Sequence, residues 1–284
     1  MYSENTGPVL AKILSLNLDQ DTMEWWQKQL QQLTETPSAR QLYLTYSLLG
    51  SKLTGDSPEY PGNSTPETNY LKLQGANTLQ VARIYLLVYA LETDREFYLP
   101  KVQKLIELAD TGEMATFLKF LVLLPGAKEF KFSAVEALRT NIATVFDAIA
   151  LDNPYPALYF NDQQWNQMYL KAAFMQRDLG KIQSVNERGN KDLSRIISDY
   201  AHERWAASRE VDPQFWQPVG PFLEGDLIED VKRLLNSDHN AEQRAGALLV
   251  SESGKAELSD LLSAHPQLQK KVENKEIHWN NLNQ

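Results

Sequence analysis

Apolar residues recur at positions i, i+3, i+4 and i+7 along almost the whole chain, and this spacing limits the available folds more than any other feature. It is typical of amphipathic helices that bury one face. The Asn-Gly turns that join hairpin strands do not occur in the sequence. We therefore predict an all-α fold without a sheet. We expect a curved, right-handed α-α array similar to the HEAT and armadillo solenoids.

Start signals and apolar periodicity together predict the individual helices. A first helix is expected to begin at Pro8, a second to be capped by Asp21 or Thr22, and a third to open at Pro37. The residues Ser51–Glu67 are rich in Pro, Gly, Ser and Thr and predict a long exposed loop. Further helices are predicted over Thr78–Leu91, Leu99–Ala109, Glu113–Leu124, Val135–Leu151, Asp162–Arg177, Lys191–Ala207, Pro213–Phe222, Leu227–Leu235, Ala241–Ser251 and Leu258–Ala264.

The chain is long enough, at 284 residues, to bury a core without covalent staples. It contains no cysteine, which excludes disulfides, iron–sulfur clusters, thiolate zinc sites and cysteine nucleophiles. We expect one continuous domain with three parts. These are an N-terminal helical part over 1–125 with its loop at 51–67, a central core over 126–222, and HEAT-like helices over 223–284.

The formal net charge is -9, and the acidic excess is spread along the chain without a basic stripe. Nucleic-acid binding is therefore not expected. The longest apolar runs, Ile84–Leu91 and Phe120–Leu124, are too short to span a membrane. We see no signal peptide at the N-terminus. These observations predict a soluble, cytoplasmic protein without a membrane span.

No nucleotide-binding loop, serine-nucleophile elbow or HExxH metal motif occurs in the sequence, so we predict no cofactor and no metal. One alternative remains open on a single helix. Asp199, His202 and Glu203 stand at i, i+3 and i+4 and share one face, where they could bind a divalent metal or form a salt-bridge network. Lys171 likewise could hold an anion or form a Schiff base, or pair with Asp152 or Asp199.

Polar side chains alternate with aromatic ones between Arg139 and Phe222. Such a mixture suits a pocket for an amphipathic small molecule, and it equally suits a structural network that satisfies buried backbone groups. The candidate ligand-binding residues are Arg139, Asn141, Asn153, Tyr155, Tyr159, Trp165, Asn166, Lys171, Asp199, His202, Glu203 and Trp205. We assign no catalytic residue.

The same segment resembles the EboA family. The resemblance rests on Arg139-Thr-Asn-Ile, Asp147-Ala-Ile-Ala-Leu-Asp-Asn-Pro-Tyr-Pro, Tyr159-Phe, Trp165-Asn-Gln-Met-Tyr-Leu-Lys-Ala-Ala-Phe, Arg188-Gly-Asn, Asp199-Tyr-Ala-His-Glu-Arg-Trp-Ala-Ala, Arg209, Trp216 and Val219-Gly-Pro-Phe. The family is encoded in a gene cluster of bacteria and some algae, beside a membrane prenyltransferase-like protein, a barrel-type metal-dependent hydrolase and sugar-phosphate-isomerase-like proteins. The resemblance implies a role in the traffic or export of secondary metabolites, such as precursors of a sunscreen pigment. It brings no assigned reaction and no catalytic roles for the motif residues.

Three functions compete on these grounds. The leading hypothesis is a non-enzymatic protein of metabolite traffic that binds a small hydrophobic or aromatic metabolite, or other proteins of the same gene cluster, through a concave surface. In it Trp165, Tyr155, Tyr159 and Trp205 stack on the ligand, and Asn141, Asn166, Arg139 and His202 fix its polar groups. The second is an enzyme that modifies an isoprenoid or aromatic precursor with His202 or Glu203 as general base. The third is a scaffold that docks partners on its C-terminal helix pairs.

Overall fold

The computed structural model describes residues 5–283, and these residues confirm the all-α prediction. About 71% of the described residues are helical, in 17 α-helices and six 3₁₀ helices, and the described residues form no strand. Contacts divide the chain into two compact units, one ending at Tyr159 and one beginning at Phe160. Within residues 5–283, no helix combines the length and the apolar character that crossing a membrane requires.

Eleven of these helices belong to the first unit. They are α1 (Thr6–Asn17), α2 (Gln20–Glu35), α3 (Ala39–Lys52), α4 (Pro66–Leu73), α5 (Thr78–Thr93), α6 (Arg95–Gln103), α7 (Leu105–Leu108), α8 (Thr111–Lys119), α9 (Lys131–Ala137), α10 (Ala143–Ala150) and α11 (Tyr155–Tyr159). Two short 3₁₀ helices, Leu121–Leu123 and Ala127–Phe130, lie between α8 and α9.

The second unit contains six α-helices and a long 3₁₀ segment. The α-helices are α12 (Asp162–Phe174), α13 (Lys191–Ala206), α14 (Asp226–Leu235), α15 (Asn240–Glu252), α16 (Ser259–Ser263) and α17 (Pro266–Glu273). The 3₁₀ helices are Leu179–Lys181, Pro213–Phe222, Ala256–Leu258 and Trp279–Asn281.

Helix α5 is the centre of the first unit. It is apolar on almost every side, as expected of a helix surrounded by others, and it packs against α1, α2, α3, α6 and α8. Its one buried cation, Arg83, pairs with Glu113 of α8 at 3.3 Å and donates to the Tyr46 carbonyl. The charge is therefore paired inside the core, and removing either partner would leave an uncompensated buried charge.

The Pro213–Phe222 segment is the centre of the second unit. Phe215, Trp216 and Val219 are completely buried there, and the segment packs against α13 and α15. The prediction of a helix over these residues is correct in position. The turn is 3₁₀ rather than α because Pro218 and Pro221 remove the backbone donors that an α-helix needs.

Several predicted elements differ from the structure, and the helix predicted over Leu99–Ala109 is one of them, because it is divided at Lys104 into α6 and α7. The single helix over Val135–Leu151 is wrong, because the chain leaves the helical path between α9 and α10, where the Thr140 hydroxyl accepts a hydrogen bond from the Ile142 amide. The predicted loop over Ser51–Glu67 is too long at both ends. Helix α3 continues to Lys52, and α4 begins at Pro66 behind a Thr65 cap.

Several helix starts also shift by a few residues. Helix α1 begins at Thr6 rather than at Pro8, and α2 is capped by Asp19, whose carboxylate accepts from the Thr22 amide at 2.8 Å. Helix α3 begins at Ala39, with Ser38 as its cap. The predicted cap of α2, Asp21 or Thr22, was therefore of the correct residue type but lies two or three residues after the actual cap.

Candidate functional site

Two of the candidate residues in the first unit lie on its surface. Arg139 follows α9 and is 77% exposed, and its guanidinium pairs with Glu136 one helical turn earlier at 3.0 Å. Asn141 is exposed in the turn between α9 and α10. An exposed ion pair of this kind contributes little to stability.

The other candidates of the first unit belong to a buried network. Asn153 donates to the carbonyls of Ala148 and Leu118 at 2.8 and 3.2 Å, and its side-chain oxygen accepts from the Tyr155 amide. The Tyr155 hydroxyl, completely buried, donates to the Ala127 carbonyl at 2.7 Å. Tyr159 packs on Tyr155 with ring centroids 4.7 Å apart. The polar atoms of Asn153 and Tyr155 are therefore engaged in holding α10, α11 and the preceding segments together.

Two candidates of the second unit, Trp165 and Asn166, connect helix α12 to its surroundings. Trp165 is buried, and the Arg188 guanidinium lies over its ring at 4.9 Å. Asn166 exchanges two side-chain hydrogen bonds with Asn190, at 2.9 and 3.1 Å, and Asn190 caps α13 by accepting from the Leu193 amide. These contacts join α12 to the start of α13 and fix the direction of both helices.

Lys171, Asp199 and Glu203 lie nearer the surface. Lys171 is half-buried on α12, and burial lowers the pKa of its ammonium group. Asp199 is exposed and pairs with Arg195 on the same helix at 3.5 Å. Glu203 is exposed one residue beyond His202.

His202 takes part in a polar cluster that connects α13 to α14. Its Nε2 lies 2.6 Å from an oxygen of Asp230, whose side chain is only 3% exposed. The second oxygen of Asp230 accepts a 2.6 Å hydrogen bond from the buried Ser198 hydroxyl. An ionised carboxylate can only accept hydrogen bonds. The imidazole proton in this bond is therefore on Nε2 of His202, and Nδ1 is left for another partner.

The sequence prediction missed Asp230 and Ser198, although a signal was present. Asp230 stands three residues after Leu227 and four before Leu234, on the apolar face of a strongly amphipathic helix. A carboxylate at such a position is buried and must find donors. Ser198 and His202 are four residues apart on α13 and reach Asp230 from one face of that helix.

Next to this cluster, Trp205 is held between several planar groups. Its ring is partly exposed and stacks on the completely buried Trp216, with centroids 5.7 Å apart and an interplanar angle of 19°. The Arg233 guanidinium lies 4.1 Å from the Trp205 ring centroid, and the His202 ring lies 5.6 Å away. Such cation–π and stacking contacts restrain the indole while leaving part of it open to solvent.

An open cleft of about 400 Å³ begins at Trp205. Its lining includes Arg209, Arg233, His239, Glu210, Asp238 and Glu242. Within residues 5–283, the guanidinium groups of Arg209 and Arg233 form no ion pair, although the chain carries 37 acidic residues. This volume is in the range of small-molecule sites, and the lining offers an aromatic ring, unpaired cations and carboxylates.

The first unit contains a larger cleft, of about 600 Å³, around the start of α4. Pro8, Val9, Pro61 and Pro66 line it, with Lys12 as the cation. Its described lining includes no aromatic side chain. The cleft at Trp205 is therefore the better match to the aromatic and polar chemistry expected of the site.

Asp199, His202 and Glu203, which share one face of α13, do not converge on a point where they could bind a metal ion together. Across residues 5–283, no group of three or more His, Asp or Glu side chains is arranged to hold a metal ion. His202 instead turns to Asp230, and Asp199 to Arg195.

Comparison with known proteins gives one match. The model of the EboA family, described as metabolite traffic protein EboA, matches residues 6–220, well over half of the chain. No curated protein and no solved structure matches the sequence. The family model thus confirms the resemblance inferred from the motifs between Arg139 and Phe222. The chain belongs to the EboA family of metabolite traffic proteins.

Proposed function

We propose that this protein is a non-enzymatic component of metabolite traffic that binds a small aromatic or hydrophobic metabolite in the cleft beside Trp205. The role in traffic follows the family to which the chain belongs. The observation that carries the choice of site is Trp205 itself, a restrained and partly exposed indole that opens onto a cleft of about 400 Å³. Aromatic rings in such positions supply much of the affinity for flat ligands.

Of the twelve residues expected to bind ligand, we retain His202 and Trp205 in this role. His202 does not line the cleft itself, but it approaches the Trp205 ring and is oriented by its bond to Asp230, so we expect its Nδ1 to meet a polar group of the ligand at the edge of the cleft. For Asn153, Tyr155, Trp165 and Asn166 we propose a structural role instead. They are buried, and the polar atoms of Asn153, Tyr155 and Asn166 are already engaged in hydrogen bonds.

We place this activity in the cytoplasm, in association with other proteins of the same gene cluster. The pair α14 and α15, which pack closely on each other, is our candidate for a HEAT-like helix pair and for the surface that receives such a protein.

Native mass spectrometry of protein gently purified from its own host tests the proposal. We expect a small, homogeneous mass excess on the wild-type chain. The excess should disappear in Trp205→Ala, because the stacking surface is lost, and it should remain in Trp25→Ala. Trp25 is the matched control, since it is also partly exposed and also lies near a cation, Lys52, but in the other unit. A mass excess that survives in Trp205→Ala, or a wild-type chain that carries nothing, would reject the site.

The geometry of His202 favours a second candidate function, an enzyme in which this residue is the general base. A buried carboxylate bonded to Nε2 is the arrangement that orients an imidazole for proton transfer from the substrate to Nδ1. To test it, the wild-type chain and His202→Gln would be incubated with a small-molecule extract of the host and the products followed by mass spectrometry. If the wild-type chain converts a compound of the extract and His202→Gln does not, the protein is an enzyme that uses His202. Identical mass spectra for the two chains would exclude this activity for the compounds present.

A further inference from the structure

We infer that the ligand of the Trp205 cleft is an aromatic molecule that carries a carboxylate, and that Arg233 and Arg209 bind this group. The inference rests on the proposed function, because it names the chemical class of the molecule that the cleft takes. Its basis is the presence of two unpaired guanidinium groups on the lining of one cleft, one of them in contact with the aromatic ring.

The positions of the two arginines are set by the ends of two helices. Arg209 follows α13 after a turn at Ser208, and its backbone amide donates to the Arg204 carbonyl at 2.9 Å. Arg233 lies in the last turn of α14. Some other exposed arginines have carboxylate partners, as Arg139 has Glu136 and Arg195 has Asp199, whereas Arg40 on α3 has no ion pair among residues 5–283. In the part of the chain that the structure describes, Arg209 and Arg233 have none.

Arg233 is suited to recognise a carboxylate next to a ring. Its guanidinium is planar, carries five N–H donors, and lies 4.1 Å from the Trp205 ring centroid. A flat ligand that contacts this ring brings its substituents next to the guanidinium. A carboxylate can accept two parallel N–H bonds from such a fork, whereas a neutral amide offers a single oxygen acceptor.

Three carboxylates, those of Glu210, Asp238 and Glu242, also line the cleft. Glu242 accepts a hydrogen bond from the Ser237 hydroxyl and so helps to hold the turn before α15. Arg233 is the charged group of the lining that lies over the ring, and this contact favours an anionic substituent over a cationic one. A positively charged probe therefore belongs in the test.

The test is isothermal titration calorimetry with three probes that share one ring: naphthalene-2-acetate, naphthalene-2-acetamide and 2-naphthylmethylammonium. We expect the carboxylate to bind about tenfold more tightly than the amide, the advantage typical of a charge-assisted hydrogen bond. Arg233→Gln and Arg209→Gln should each reduce this preference, and added salt should weaken it. Arg195→Gln, which removes an exposed arginine whose partner is Asp199, is the matched control and should change nothing.

The outcomes separate the inference from the function on which it rests. Equal binding of the acetate and the amide, both weakened by Trp205→Ala, would overturn the inference and leave the cleft as the site. Tighter binding of the ammonium probe would also overturn it and would assign the recognition to the carboxylates. If no probe binds, or if Trp205→Ala binds all three as the wild-type chain does, the site itself is wrong.

Discussion

At the scale of single residues, Asp230 has the largest consequence for the candidate site. Its buried carboxylate accepts from Ser198 and from His202, so it connects α13 to α14 and orients the imidazole beside Trp205. A carboxylate with two donors tolerates burial, whereas each donor loses a partner when the carboxylate is removed. His202 is half-exposed and can turn to water, but Ser198 cannot.

We therefore expect Asp230→Ala to lower the free energy of unfolding by about 1–3 kcal/mol, the cost of leaving a buried hydroxyl without a partner. Urea unfolding monitored by circular dichroism measures this. Asp199→Ala, which removes an exposed carboxylate from the same region, should stay within about 0.5 kcal/mol of the wild-type chain. The double variant Ser198→Ala with Asp230→Ala should be more stable than the sum of the two single changes predicts. Strict additivity would contradict the described cluster.

Three buried tyrosines make the protein sensitive to alkali. The hydroxyls of Tyr46, Tyr155 and Tyr169 donate to backbone carbonyls, and burial raises the pKa of each phenol above its ordinary value of 10.0. Above about pH 10 the unfolded chain releases these protons while the folded chain retains them, so stability falls as the pH rises. Each such group contributes up to about 1.4 kcal/mol per pH unit to this slope.

Urea unfolding between pH 8 and pH 11 checks this dependence. Tyr155→Phe should cost about 1 kcal/mol at pH 8, through the lost hydrogen bond to Ala127, and should make the decline above pH 10 shallower. A decline of unchanged slope in Tyr155→Phe would show that this phenol ionises in the folded protein.

At the scale of elements, the contact between α14 and α15 depends on a glycine. A Cβ at Gly246 would lie 3.1 Å from the backbone nitrogen and from Cγ of Leu235. Gly246→Ala should therefore destabilise the protein by about 1 kcal/mol or more, because the crowding outweighs the better helix propensity of alanine. Gly112 on α8 has no such neighbour, and Gly112→Ala should be neutral or stabilising. Thermal unfolding of both variants tests this difference in stability. A Gly246→Ala variant more stable than the wild-type chain would contradict the close packing of α14 and α15.

The helices were predictable from the sequence where an apolar face and a capping residue coincide, as in α5, α12 and α13. The break between α9 and α10 was not predictable from the sequence. The apolar period continues across it, while the Thr140 hydroxyl accepts a hydrogen bond from the nearby Ile142 amide. Of the residues in the proposed site, the sequence analysis named His202 and Trp205. Asp230 and Arg233 were missed because their roles depend on how α14 packs against α13, and no local pattern encodes that contact.

At the scale of the whole molecule, the candidate cleft lies entirely within the second of two compact units. Trp205 and Arg209 fall inside the residues that the family model matches, and Arg233 falls beyond them. The first unit has its own core around α5 and its own cleft at the start of α4. A ligand of the second unit should therefore protect segments of that unit from solvent exchange and leave the first unit unchanged.

Hydrogen–deuterium exchange with and without saturating naphthalene-2-acetate tests this central claim most directly. We predict slower exchange in peptides that cover Trp205–Glu210 and Arg233–Glu242, with no change in peptides of α1 to α10, because the probe contacts only the cleft beside Trp205. Protection confined to Pro61–Thr68, around the cleft of the first unit, or an exchange pattern that the probe leaves unaltered, would contradict the account.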